Sequence, residues 1–321
     1  MIINDTLFEH GLNSLFRSRL PTKVAVALSG GPDSMLLTWL LHKHKINHNA
    51  FDIYAITIDH KYRRESRREA LRVHDYVKNW ELKHIIKELD YDEGTDPTSL
   101  KNFEEVARTK RYEAFAEVCY QESIPAIFVG HHKDDQLETF IQRLQGNSTI
   151  FGLAGTRRIS ALPVAKDLPP QADNHPQLRV VRPFYNYDKQ DIFDTCAVND
   201  LQFVNDPTNL DINLTRRNYL RHMIGDILPE KAKPNSPYEI IDRPSLEQSH
   251  ASCLEFATLF EEKAHNLSMY LQENNLIETY PSMGSMKIEF PRVCFDPETT
   301  VVTFARWQVR NIQNDHDEFS V

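Results

Sequence analysis

Two short stretches carry side chains whose types and spacing could do chemistry. The first, Ser29-Gly30-Gly31-Pro32-Asp33-Ser34, follows the small apolar run Val24 to Leu28. Gly30 and Gly31 remove side chains where backbone N–H groups must approach an anion, and Pro32 suits the first turn of a helix, where no N–H is needed. The helix N-terminus adds unpaired donors and a partial positive charge, and the hydroxyls of Ser29 and Ser34 stand beside them. A polyphosphate fits such a turn. No lysine follows Gly31 as Gly-x-x-x-x-Gly-Lys-Ser/Thr would require, which argues against transfer of a terminal phosphate in the P-loop manner. Asp33 repels phosphate unless a divalent cation lies between them, so the carboxylate hints at magnesium. A plain strand-to-helix turn is the competing explanation.

The second stretch, Gly130-His131-His132-Lys133-Asp134-Asp135-Gln136-Leu137-Glu138-Thr139, follows the apolar run Ala126 to Val129. On a helix Asp135 and Glu138 are three residues apart and share a face. Two carboxylates with a histidine, here His131, can hold a cationic amine, ligate magnesium or serve as a general base. The structural alternative is an acid-rich first turn complementing the helix dipole.

These stretches need strands and helices to position them, and the first half of the chain alternates the two. Strands are expected at Val24–Leu28, Ile53–Ile58, Lys83–Lys87, Ala126–Val129 and Arg179–Val181, with helices at about Ser34–His44, Glu65–Trp80, Phe103–Glu122 and Asp134–Gln145. That alternation predicts an α/β fold with a doubly wound, mostly parallel sheet and ligand sites at the carboxyl ends of the strands. Both chemical stretches begin at such ends. A further helix is expected within Ile2 to Leu20.

The expected organisation is a catalytic domain over residues 1–228, a proline-punctuated linker over 229–244 and a small, mainly helical domain over 245–321. Within the last, Ser245 to Asn274 reads as one or two helices, Met286 to Phe290 as a short strand, and about Val301 to Ile312 as a final helix bearing Phe304, Trp307 and Arg310. Ala165 to Gln177, with three prolines and little to bury, reads as a mobile insertion.

Composition narrows the class. With 40% hydrophobic and 26% charged residues the chain reads as a soluble globular protein, and no run approaches the ~20 apolar residues of a membrane span. Asp5 and Glu9 argue against a mitochondrial presequence, so the cytoplasm is expected, with an organelle matrix left open. The cysteines, Cys119, Cys196, Cys253 and Cys294, are far apart and form no Cys-x-x-Cys pair, which fits a reducing compartment and argues against a zinc knuckle or iron–sulfur site. A net charge of −9 disfavours nucleic acid, yet residues 61–72 hold six cations, Arg63 and Arg64 among them, against two acids. A solvated helix face would look the same.

Several segments are weak alone: Asn102 to Tyr112, where Glu104 and Arg108 are spaced to pair and Arg111 follows on that face; Arg182-Pro183-Phe184; and Arg216 to Arg221. In order they are informative. Ser29 to Ser34 resembles the PP-loop of the N-type ATP pyrophosphatases. With Asp59-His60, Asn102 to Tyr112, Gly130 to Thr139, Gly152 to Gly155, Arg182-Pro183, Asp206 to Asn209, and Arg217-Asn218 followed by Arg221, the series resembles the tRNA(Ile)-lysidine synthetase family over roughly residues 20–230. The helical region after 245 resembles a shortened first C-terminal domain of that family. The acidic composition, the 165–177 insertion and Asn205, where an acid is common, depart from the pattern.

The resemblance implies an ATP- and Mg2+-dependent ligase. ATP adenylates the oxygen on carbon 2 of the wobble cytidine of an isoleucine tRNA, and the side-chain amine of free L-lysine displaces AMP. It implies ATP contacts at Ser29, Gly30, Gly31, Pro32, Asp33 and Ser34, with Asp33 also the magnesium ligand, and catalytic roles for Asp33, His131, Asp135 and Glu138. Lysine's amine has a reference pKa of ~10.4, so its proton must be taken, and Asp135 and Glu138 are the candidates. Substrate or tRNA contacts are implied for Asp59, His60, Arg63, Arg64, Asn102, Glu104, Arg108, Arg111, Arg182, Arg217, Asn218 and Arg221. Which of Arg182, Arg217 and Arg221 meets phosphate, AMP or the lysine carboxylate stays open, as does a homodimer; no membrane partner is expected. The alternatives are a tRNA cytidine thiolase of the same superfamily, against which the scattered cysteines count, and a catalytically silent RNA-binding homologue.

Overall fold

The computed structural model describes residues 1–16, 20–48, 51–61, 66–89, 91, 103–163, 178–204, 216–224, 242–280, 285–289, 291–295 and 302–306. The chain divides into two compact units, Met1–His250 and Ala251–Val321.

The first unit is built on a six-stranded sheet. Its strands are β1 (Lys23–Ala27), β2 (Asp52–Asp59), β3 (Lys83–Glu88), β4 (Ala126–Phe128), β5 (Ile159–Ala161) and β6 (Arg179–Val181), in the spatial order β3-β2-β1-β4-β6-β5. All neighbours run parallel except the edge strand β5, which lies antiparallel to β6. Val26 is in register with Ala55 on one side and Phe128 on the other. The small apolar run in β1 is what a central strand requires, since successive side chains enter opposite cores. Val24, Val26 and Leu28 join one apolar cluster with Ile53, Ala55 and Phe128, while Ala25 joins another with Tyr54, Ile56 and Ile127.

Helices cover both faces. On the first lie α1 (Asp5–Leu15), α2 (Pro32–His48) and α3 (Ser66–Val77), represented in the core by Leu12, Leu36, Leu40 and Val73. On the second lies α4 (Phe103–Gln121), whose Tyr112, Phe115 and Cys119 pack under β4. After β4 come α5 (Lys133–Gln145), the one-turn α6 (Ile150–Leu153), α7 (Lys189–Val198) and α8 (Arg216–His222). The α7 helix packs on α2 through Ile192 and Cys196, and the Cys196 thiol contacts the Pro32 carbonyl at 3.7 Å.

Past these, α9 (Arg243–Glu273) is one unbroken helix, which resolves the choice of one or two. Two ladders follow: β7 (Ile277–Tyr280) with β8 (Ser285–Ile288), and β9 (Pro291–Phe295) with β10 (Val302–Arg306), both antiparallel. The final helix expected at 301–312 is therefore a strand in its first part. Val302-Thr303-Phe304 is rich in β-branched and aromatic residues, and pairing Phe304 with Val293 satisfies that preference better than the apparent helical spacing to Trp307. Trp307 and Arg310 lie outside the described residues, as do the 165–177 insertion and residues 229–241 of the expected linker. Sequence patterning also missed β5, β7, β9, α6, α7 and α8.

Candidate active site

The chain leaves β1 toward β2 on one side of the sheet, and β4 stands on the other, so the loops after β1 and β4 flank the point where strand order reverses. Such a crevice is where doubly wound sheets take ligands. Here the two loops touch. A Cβ on Gly130 would lie 2.9 Å from the Asp33 carbonyl carbon, so glycine is what lets the acidic helix approach the phosphate-type turn.

In the first loop Gly30 has φ +88°, and its carbonyl accepts the Val204 amide at 2.8 Å. A side chain there would also strike Val73. The Ser34 hydroxyl organises the turn: it lies 3.1 Å from the Ser29 hydroxyl, accepts the Gly30 amide at 3.1 Å and donates to the Gly31 carbonyl at 3.0 Å. Pro32 opens α2 as expected, with Asp33 in the first turn. Both Asp33 oxygens are held by Lys189 Nζ, at 2.5 and 2.7 Å.

In the second loop His132 occupies the N-cap of α5, and its backbone amide donates to Asp135 Oδ2 at 3.0 Å. His132 Nε2 stands 3.4 Å from Asp135 Oδ2 and 3.7 Å from Asp33 Oδ1, which joins the two loops electrostatically. The ring is buried, and its Nδ1 has no hydrogen-bond partner among the described residues. Asp135 and Glu138 share one face, as their spacing required, and both are buried. Arg221 of α8 faces them, its Nε donating to Glu138 Oε1 at 2.7 Å and its NH2 lying 3.6 Å from Asp135 Oδ1. The structure thus brings Arg221 onto the Asp135–Glu138 pair and, through His132, links that pair to Asp33, which the sequence had singled out separately.

His131 is used differently. Arg182 Nε donates to its Nδ1 at 3.3 Å, which in the neutral ring leaves the proton on Nε2. Arg182 itself is buried and also donates to the Arg157 carbonyl at 2.8 Å and Ser160 Oγ at 3.1 Å. Burial pulls its pKa down, partly countered by Tyr112. Arg182 therefore braces β5 and His131 as well as carrying charge.

On the far side of β1, Asp59 is buried and its Oδ1 accepts the Lys61 amide at 3.0 Å and the Ser66 hydroxyl at the start of α3. Burial, with Arg111 nearby, pushes the His60 pKa down to about 4, so this ring is neutral at physiological pH. The guanidinium carbons of Arg108 and Arg111 lie 5.1 and 5.8 Å from the Tyr112 ring centre, within cation–π range. Asn218 is buried in α8. Lys61 and Arg67 of the basic stretch both pair with Glu88, at 3.1 Å each. Arg63, Arg64 and Asn102 lie outside the described residues, as do the side chains of Glu104 and Arg217.

Sequence reasoning missed Lys189. Its signal was local: Asp188 and Asp191 form a capping box that marks the start of α7, and Lys189 is the first residue inside it. It also missed Arg243, the first residue of α9, which donates to Asp134 at 2.6 Å, to Asp188 at 2.9 Å and to Glu247 at 2.8 Å. Arg243 thereby links the starts of α5 and α7, the helices that carry Asp135 and Lys189.

A magnesium ion binds through one or two carboxylates together with phosphate oxygens and water, and Asp33 beside the phosphate-type turn is a donor of that kind. Among the described residues no group of three or more His, Cys, Asp or Glu side chains is placed to hold a metal by itself. The donor set fits an ion that arrives with a nucleotide. No helix among the described residues is long and apolar enough to cross a membrane.

The PP-loop domain family matches residues 4–228. A tRNA(Ile)-lysidine synthase of Rickettsia bellii is 26% identical over 247 residues, covering 74% of this chain and 53% of its own length. A probable tRNA(Ile)-lysidine synthase of Schizosaccharomyces pombe is 31% identical over 222 residues, covering 68% of this chain and 47% of its own. The chain spans about half the length of the curated relatives it matches. Among solved structures, the U34-tRNA thiolase NcsA from Methanococcus maripaludis, with its 4Fe-4S cluster, aligns with a TM-score of 0.57 at 15% identity over 78% of this chain and 79% of that one, a likeness of fold.

Proposed function

The chain belongs to the PP-loop family, matching it over residues 4–228, and from that premise we propose that it is an ATP-dependent ligase joining L-lysine to carbon 2 of the wobble cytidine of an isoleucine tRNA. The observation that carries this reading is the contact of two unlike half-sites. An anion-accepting turn at Ser29–Ser34 meets an acidic wall of Asp135 and Glu138 across the Gly130–Asp33 approach. One half suits polyphosphate and the other an ammonium. The similarity to proteins named tRNA(Ile)-lysidine synthase supplies the tRNA.

In this reading the cytidine oxygen forms a bond to the α-phosphorus of ATP while the bond to the β-phosphate bridge breaks and pyrophosphate leaves. The turn and the α2 N-terminus bind that leaving group. The lysine amine then bonds to carbon 2, the carbon–oxygen bond breaks, and AMP departs. Asp135 and Glu138 hold the incoming ammonium and take its proton, with Arg221 ordering both carboxylates and releasing charge to the substrate as it enters. His131, whose Nδ1 accepts from Arg182, carries its proton on Nε2 in the neutral ring and is the histidine of the same loop available to the substrate. Asp33 would hold magnesium, which neutralises phosphate charge when bound.

The thiolase alternative has less support. Cys119 and Cys196 are buried, and burial pushes their thiols up to about 12 and about 11, the reverse of the exposed, low-pKa thiols that sulfur transfer uses. The test is to incubate the full chain with ATP, radiolabelled lysine and isoleucine tRNA bearing a cytidine wobble base, and to identify the modified nucleoside by mass spectrometry. A lysine adduct with AMP and pyrophosphate is expected. Thiocytidine with a sulfur donor, or no nucleotide-dependent product, overturns the reading.

A further inference from the structure

The phosphate-type turn contains no lysine, yet one reaches it from 156 residues away. Lys189 Nζ lies 2.5 and 2.7 Å from the two Asp33 oxygens, a two-point clasp at the first turn of α2. Three observations set this apart from an ordinary surface pair. Lys189 is the first residue of α7, where the helix dipole disfavours a cation, so local structure does not explain a lysine there. The helix beneath it is fixed, because Ile192 and Cys196 are buried against α2 and Cys196 contacts the Pro32 carbonyl. The ammonium also stands over the Phe193 ring at 5.0 Å, which limits where its stem can lie. Nearby Lys133 and Arg243 are directed instead to Asp188, Asp134 and Glu247.

Asp33 alone would oppose a polyphosphate in the turn. We propose that Lys189 is a further nucleotide-binding residue of this site: it supplies from α7 the phosphate-facing ammonium that the turn lacks, with Asp33 holding it at the loop. Binding of the polyphosphate shares or transfers that ammonium to phosphate oxygens, leaving the Asp33 carboxylate for magnesium. This inference rests on the ATP-handling part of the proposed function and extends it to a residue outside the motif.

The test measures binding of Mg-ATP, and separately of inorganic pyrophosphate, to the full chain by isothermal titration calorimetry. Wild type is compared with Lys189→Gln, Lys189→Arg, Asp33→Asn and the Asp33→Asn/Lys189→Gln double variant, each first checked by thermal melting. Loss of one charge-assisted contact is expected to weaken both ligands by about ten- to hundred-fold in Lys189→Gln, with Lys189→Arg restoring much of the affinity. In the Asp33→Asn background Lys189→Gln still weakens pyrophosphate if the ammonium touches phosphate. Its effect vanishes if Lys189 only steadies Asp33, and that result overturns the inference. Unchanged affinity in folded Lys189→Gln likewise overturns it while leaving the ATP reading intact. Failure of wild type to bind Mg-ATP overturns both.

Discussion

Replacing Gly130 by alanine tests whether the loops after β1 and β4 meet as described. The added methyl carbon would stand 2.9 Å from the carbonyl carbon and Cβ of Asp33 and 3.0 Å from its carbonyl oxygen. Unstrained carbon contacts lie at about 3.5–4.0 Å, so overlaps of roughly 0.5–1 Å must be relieved, and two of the three atoms are backbone. Gly130 is not among the glycines with positive φ, so alanine meets no conformational penalty of its own. It should even gain ~0.4–1 kcal/mol by restricting the unfolded chain. Against that stands an overpacking cost of ~1–3 kcal/mol, for a net loss of about 1–2 kcal/mol. For a unit of this size each kcal/mol lowers Tm by about 2–4 °C, which places the drop at about 2–8 °C. Because the relief must move Asp33, ATP affinity should fall as well, by about tenfold. Scanning calorimetry reads the first effect and titration calorimetry the second. A Gly130→Ala protein that melts at or above wild type and binds ATP normally would refute the close approach, and with it the joining of the two half-sites.

Asp33→Ala should abolish lysine- and tRNA-dependent release of AMP and pyrophosphate while far-UV circular dichroism stays native; unchanged release would remove the turn from the mechanism. Arg243→Ala should cost about 1–3 kcal/mol by unpairing Asp134 and leaving Asp188 with Lys133 as its remaining cation, and the Tm difference from wild type should shrink in high salt. Burial, with His74 adjacent, holds the His84 pKa down at about 4 against 6.5 in the unfolded chain. Between those values the unfolded state binds more protons, so this group's stability is present above pH 6.5 and is lost as pH falls toward 4. His84→Gln should therefore flatten the pH dependence of Tm over that window, and an unaltered slope would show that His84 does not cause it.

The sheet was legible because its physics is local. A strand covered on both faces must be apolar without interruption, and Val24 to Leu28 could hardly have been anything else; the structure starts it one residue earlier and ends it at Ala27. Asp135 and Glu138 shared a face because helical spacing alone requires it. The clasp of Lys189 on Asp33 has no such signature, since nothing near either residue announces a partner 156 positions away. The α7 helix was readable in principle from its Asp188–Asp191 capping box, but its apolar pattern is short, with Ile192 and Cys196 as its buried hydrophobic residues. β5 is as short as β6 but lacks its two buried valines, so no apolar run announces it, and the partner strand supplies its conformation. The strand Val302–Arg306 shows the opposite failure. Phe304 and Trp307 suggested helical spacing, while the β-branched run pairing with Pro291–Phe295 decided the outcome.

The outer strand β3 has a bearing on how the protein behaves in concentrated solution. It ends the sheet among the described strands, so one side of its backbone is a template on which another chain could add a strand. It carries charge at both ends: Lys83 is paired with Glu122, Lys87 with Glu117, and Glu88 with Lys61 and Arg67. A strand from a second molecule docking there would have to strip water from those ions. The edge is thus guarded against fibre-like self-addition, and exchanging its lysines for apolar β-formers should make the purified protein aggregate before it unfolds.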